Sequence, residues 1–327
     1  MKLENFGTAP AVNITFLVDN RADLIVKSTE KVSYFTDKAL LAEHGFSALV
    51  HFPDTGMNIL WDAGVTRVAL MENIRRMEID PRTIQKIALS HGHFDHFAAL
   101  SDLLGAMKLS SDPKEWSEPV TPDRVEAWID SKRIPLTAHP AAFRERWGLK
   151  DDGTKVGPNP SPPRMEWQAL GAKVELSEAP YQLSPGCWTT GYVPRKSFEK
   201  SGRPTKLLYR EGGRFKPDDL EEDQAIVINV DGKGLVVLSG CAHSGIVNTV
   251  QYAREISGVD DVFAVLGGFH LARSNEAEIQ STIDALGALA PEVLVPCHCT
   301  GFKAMCAFAQ QLPDAFIPGV VGATYRF

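Results

Sequence analysis

The stretch Ala88–Phe97, ALSHGHFDHF, packs three of the chain's nine histidines (His91, His93 and His96) together with Asp95 into six consecutive positions. Neither the 3.6-residue period of a helix nor the two-residue alternation of a strand puts all four side chains on one face. A loop that turns into a helix can do so. Neutral imidazole and carboxylate are the donors that Zn²⁺, Fe²⁺ and Mn²⁺ take. The bland reading is a solvated polar loop with chance histidines, and the density of donors argues against it. The cluster is therefore read as a metal site, with His91 and His93 converging on one ion and the Asp95-His96 pair on a second beside it.

The flanking sequence places this cluster at a strand end. KIALS, just before it, is a short buried strand, and AVNITFLVD, FSALVHF and NILWDAG earlier in the chain are apolar or alternating runs bounded by turn residues. Between them, Val68, Met71, Ile74 and Met77 recur at helical spacing. From Ala225 the same grammar returns. AIVINVDGKGLVVLSG predicts a hairpin turning at Asp231-Gly232. A helix over Ser244–Ile256, a strand DVFAVLGG, a helix capped by Asn275 with Glu278 three residues on, and a strand EVLVP follow. Both halves alternate strands with helices, which predicts an α/β architecture of two sheets flanked by helices with donor-rich loops at strand ends.

The 327 residues predict a single domain over 1–327. Residues 101–222 differ from the rest, holding 14 of the 21 prolines and 5 of the 6 tryptophans. We read that stretch as an irregular insertion and covering layer in which Trp128, Trp147 and Trp167 seek apolar partners. A net charge of −7 gives no electrostatic footprint for nucleic acid. No apolar run approaches the roughly 20 residues of a membrane span, and no signal-like start is present. Five cysteines, an odd number in a long chain, argue for reduced thiols, so the expected setting is cytoplasmic.

The spacing His91-x-His93-x-Asp95-His96 after a hydrophobic strand resembles the metallo-β-lactamase superfamily. LLAEHGFSALV, TTGYVPR, GCAHSGIVN, GGFHL and CHCTG resemble its 7,8-dihydropterin-6-methyl-4-(β-D-ribofuranosyl)aminobenzene-5'-phosphate synthase-like branch over nearly the full length. The resemblance implies an αββα sandwich carrying the Pro/Trp-rich insertion. It makes Asp62, in NILWDAG, a group orienting a ligand histidine, and His298, in EVLVPCHCTG, the final metal ligand. Two departures stand out. Cys241 occupies the place of the bridging carboxylate, with His243 two residues on, which shifts preference toward softer metals. The third histidine motif is missing, because Tyr192 or Val193 of WTTGYVPR stands in its slot, and His243 or His270 could supply that donor.

The expected metal set is thus His91, His93, Asp95, His96, Cys241, His243, His270 and His298, binding two divalent ions, foremost zinc with iron or manganese as alternatives. Cys297 and Cys299 alternate about His298 and are read as packing residues, Cys187 and Cys306 as core, and His51 and His139 as structural or surface groups. His44 and Arg195 are candidates for contacting a small anionic substrate. The resemblance implies hydrolysis of an anionic ester, lactone or phosphodiester by a metal-activated water, with Asp95 as ligand and orienter of that nucleophile. The rival readings are transfer of a pterin-methyl diphosphate to an arylamine ribose phosphate, di-iron redox chemistry, and a non-catalytic sensor. The di-iron relatives carry glutamate where this chain has His93.

Overall fold

The computed structural model describes residues 2–107, 120–199 and 206–327. Two mixed sheets face each other. The first runs, in spatial order, Val32–Tyr34, Ala323–Arg326, Asn13–Val18, Ser47–Phe52, Met57–Trp61, Lys86–Ala88, Ile134–Ala138 and Ala172–Leu176. The second runs Tyr181–Ser184, Cys187–Thr189, Ala225–Val230, Gly234–Ser239, Val262–Gly268 and Val293–Cys297. Phe16, Phe46, Trp61, Val236, Leu266 and Val295 fill the space between them.

Each sheet has a helical layer on its outer face. Leu70, Ile74, Leu100, Leu103 and Trp167 cover the first, and Ile246, Val250, Ile279, Ile283 and Phe308 cover the second. This is the expected αββα sandwich. The hairpin turns at Asp231-Gly232, with Gly232 at φ 69°, and Asn275 and Glu278 form their reciprocal cap. Among the described residues no helix is long and apolar enough to cross a membrane.

Both sheets change from antiparallel to parallel pairing partway across. Met57–Trp61, Lys86–Ala88, Ile134–Ala138 and Ala172–Leu176 are mutually parallel, as are Gly234–Ser239, Val262–Gly268 and Val293–Cys297. Parallel strands leave their carboxyl ends on one edge, where ligand sites of α/β sheets form. Asp62, His91, Cys241, His270 and His298 all follow such ends, so the topology gathers on one rim what the sequence spreads over more than 200 residues.

Two expectations need correction. Residues 101–222 are not simply a covering layer. Ile134–Ala138 and Ala172–Leu176 extend the first sheet, and Tyr181–Ser184 and Cys187–Thr189 extend the second. Among the described residues, a small sheet of Arg214–Pro217, Leu207–Glu211, Arg146–Leu149 and Lys155–Val156 stands apart. These strands are short and proline-flanked, which hides their alternation. Residues 108–119 and 200–205 of the stretch lie outside the described residues.

The helix Arg67–Arg76 also turns a different face inward, burying Ala69, Leu70, Asn73 and Ile74 and leaving Val68 exposed. A polar residue sits in that face because Asn73 Nδ2 donates to the carbonyls of Leu17 and Leu41, and Leu41 N donates back to its Oδ1. Trp167 alone of the three tryptophans is fully buried, edge-on to Phe97 and Phe143, and it donates to Ser101 Oγ.

Candidate metal centre

The His91–His96 loop leaves the Lys86–Ala88 strand and enters the short helix Phe94–Phe97, with His93 at its amino end. His91 and His93 therefore project from the loop and Asp95 and His96 from the first helical turn. Gly92 is obligatory, because a Cβ there would lie 2.1 Å from the Ala142 carbonyl oxygen.

Two sets of three donors result. His91, His93 and His243 form one, and Asp95, His96 and His298 the other, and within each the donor atoms lie no more than 4.8 Å apart. Cys241 stands between them, grouped with His91 and His96, its Sγ 3.1 Å from His96 Nε2. The order of the chain is thus not the order of the site. His243, after the cysteine, closes the first set that TTGYVPR leaves open. Tyr192 is exposed and Val193 is buried.

These donors fit metal ions. His91 Nε2 and His243 Nε2 are 3.2 Å apart, close to the roughly 3.3 Å separating two nitrogens that share a tetrahedral ion about 2.0–2.1 Å away. In the second set Asp95 Oδ2 is 3.4 Å from His298 Nε2 and 3.7 Å from His96 Nε2. His298 Nε2 is buried with no hydrogen-bond partner, an arrangement that is costly unless something else fills the site.

The far sides of the His91, His96 and His298 rings are each held by a polar partner. Asp62 Oδ2 accepts from His96 Nδ1 at 2.7 Å and from Ser90 Oγ at 2.6 Å, while its Oδ1 accepts from Ser90 N at 2.7 Å. Ser90 Oγ in turn lies 2.8 Å from His91 Nδ1, so one carboxylate orients two rings. Gly240 makes room for this knot, since a Cβ there would meet Ser90 Oγ at 2.1 Å. Asn20 Oδ1 takes the corresponding place 3.0 Å from His298 Nδ1, and Asp19 Oδ1 accepts from His298 N at 2.9 Å. Such partners fix which ring nitrogen is left free. Asp62→Asn is expected to weaken metal binding about 10- to 100-fold, measured by competition with a chromophoric chelator; unchanged affinity would separate Asp62 from the site.

Burial favours the neutral form of His91, His93 and His243. Burial, followed by the neighbouring His96 and His93, drives His91 well below its ordinary range. Burial likewise lowers His93 to about 4 and depresses His243. At His96 burial is outweighed by Asp95 and Asp62, which push it up to about 9. The Asp95 carboxyl is held below the usual carboxylate range: His96 and His298 overcome its desolvation. Burial raises the Cys241 thiol.

The remaining predicted residues fall as follows. His270 is half-buried, its ring 4.2 Å from that of His243, and joins a group with Cys241 and His243. Its Nδ1 is buried without a hydrogen-bond partner. His44 sits at the open lip, its Nε2 3.5 Å from Asp95 Oδ2 and its side chain 65% exposed. Arg195 donates to the Asp219 carbonyl, and its charge acts on His243 and Asp223. His51 pairs with Asn58, and His139 is buried and caps a helical turn. Asp62, Ala242, His270 and His298 all adopt left-handed φ, between 51° and 59° for the first three and 47° for His298. Strained backbone of this kind persists where its surroundings fix it, and it gathers at functional sites.

Sequence reasoning missed the segment Glu222–Gln224. Gln224 donates to the Leu89 carbonyl and its backbone N–H to the Ser90 carbonyl, Asp223 accepts from Ser244 N, and Glu222 accepts from Gly92 N. It also missed Arg146, which is buried and donates to Asp218 at 2.7 Å and to Glu222 at 2.5 Å. Asn20 and Asp19 carried a usable signal, an acidic-amide pair closing a buried strand, as Asp62 does.

Residues 42–111 match the model of the metallo-beta-lactamase superfamily. The chain is 34% identical over 281 residues to 7,8-dihydropterin-6-methyl-4-(beta-D-ribofuranosyl)-aminobenzene-5'-phosphate synthase of Methanocaldococcus jannaschii, covering 84% of this chain and 87% of that one. Among solved structures, Tm1679, described as a metal-dependent hydrolase of the beta-lactamase superfamily, superposes with a TM-score of 0.70 at 23% identity over 96% of this chain and 98% of the other. The metallo-beta-lactamase fold protein YhfI of Bacillus subtilis superposes with a TM-score of 0.53 at 10% identity, covering 97% and 100%.

Proposed function

The chain belongs to the metallo-β-lactamase superfamily, and from that premise we propose that it is a two-metal enzyme, with zinc foremost, that hydrolyses a small anionic ester, lactone or phosphodiester. The observation that carries the reading is the pair of three-donor sets meeting at Cys241. Two ions held there would supply Lewis acidity to the scissile group and acidify water between them.

The protein's own groups do the rest. Asp62, Ser90 and Asn20 lock ring orientations so that the donor nitrogens point inward. Asp95, 3.5 Å from His44 at the lip, orients the attacking group. His44 stands where it can hydrogen-bond an anionic substrate, and the buried His91 and His96 keep bulk water off the inner wall. The five cysteines are unpaired, in keeping with a reducing cytoplasm.

A second reading is favoured by the M. jannaschii relative. On that reading an arylamine nitrogen, giving up its proton, displaces diphosphate from a pterin-methyl carbon, and metal ions held by the same donors would neutralise the leaving group. One experiment addresses both. Protein stripped by chelator and reloaded with zinc is given ester, lactone and phosphodiester substrates, and separately a pterin-methyl diphosphate with an arylamine ribose phosphate. Zinc-restored hydrolysis supports the first reading. Pyrophosphate release that requires both co-substrates supports the second. Turnover that survives metal removal sinks both.

A further inference from the structure

We propose that Cys299 is a further metal donor at this centre, paired with Cys241, so that the position lined by Asp95, His96 and His298 presents two thiolates to a thiophilic divalent ion. The inference rests on the two-metal reading above and adds a ligand to it.

Strand alternation would put Cys299 on the same face as Cys297, and Cys297 is sealed in the core between the sheets. The chain does not continue as a strand. The strand ends at Cys297, His298 takes φ 47°, and His298–Thr300 form a single tight turn. That turn swings Cys299 away from the core and onto the rim. Its Sγ, Cys241 Sγ and His298 Nε2 lie within 4.8 Å of one another, and the thiol reaches the Cys241 carbonyl oxygen at 3.6 Å. The neighbouring strand end is shaped around it, since a Cβ on Gly268 would sit 2.6 Å from Cys299 Sγ.

Zinc accepts sulfur at about 2.3 Å, so two sulfurs and a nitrogen gathered this closely can share one ion with small side-chain adjustments. Two thiolates would favour zinc, cobalt or cadmium over manganese or magnesium, which prefer oxygen.

Cobalt reports the sulfur count directly, because thiolate-to-cobalt charge transfer absorbs in the near ultraviolet, separately from the visible bands that report bound cobalt. Under anaerobic conditions the full-length protein loaded with Co²⁺ is expected to show that absorption. Cys299→Ser is expected to lose about a third of it if Cys241 bridges two ions, or about half if it serves one, with cobalt content kept. Cys306→Ser, on a helix outside the site, is expected to lose none. In Cys241→Ser a charge-transfer band is expected to remain, since Cys299 supplies it, which tests the proposal even where Cys299→Ser does not fold. Full absorption in Cys299→Ser, or none in Cys241→Ser, overturns the proposal and leaves the two-metal reading standing. Failure of the unmodified protein to take up cobalt overturns both.

Discussion

Replacing His243 with alanine is expected to leave about one equivalent of metal where the parent holds about two, and to cut turnover by about a hundredfold or more, since losing a donor costs more than the roughly 10- to 100-fold lost with a donor's hydrogen-bond partner. The reason is geometric. His243 Nε2 faces His91 Nε2 at 3.2 Å, and without it the first set keeps only His91 and His93 from one loop, too few for a closed site. The second set, Asp95, His96 and His298, does not include His243 and is expected to stay loaded. His298→Ala is expected to lose less metal, because Asp95 and His96, with the two thiols proposed beside them, remain. Elemental analysis after dialysis, alongside turnover, checks the pair. Two equivalents retained in His243→Ala would show that His270, whose ring is 4.2 Å away, supplies the third donor instead.

Arg146→Leu is expected to be the most damaging change outside the donors. The guanidinium side chain is 3% exposed and bonds two carboxylates that are fully buried, Asp218 and Glu222, together with the carbonyls of Ala141 and Ala142. Removing one member of a buried ion group strands the others, at about 3–5 kcal/mol. Burial already pushes Glu222 up to about 7, with Arg146 the main influence lowering it. Loss of the cation therefore favours uptake of a proton by Glu222. Because Glu222 also accepts from Gly92 N, the damage should reach the metal loop. Calorimetry should show a melting temperature lower by several degrees or more, and Arg146→Leu combined with Glu222→Gln should recover part of it. A melting temperature equal to the parent's would show the cluster to be dispensable.

Much of this centre was legible because its signals are local. Six residues carry four donors, a buried strand ends in Asp62, and a hairpin, a capping box and strand-end histidines follow one-dimensional rules. Glu222, Asp223 and Gln224 were not legible. Their work is to accept from or donate to Gly92, Ser90, Leu89 and Ser244, contacts that no local pattern signals. Cys299 was read as packing because alternation was carried one residue too far, past the point where His298 turns left-handed.

By itself the sequence pointed to two sheets flanked by helices and to the candidate donors, since hydrophobic period and ligand chemistry are properties of short segments. Only the tertiary structure decided the grouping: His243 rather than His270 beside His91, Cys241 between the sets, Cys299 on the rim, and Arg146 behind the loop. Those assignments depend on where parallel strands end relative to one another and on backbone turns with positive φ. Spacing along the chain does not encode either.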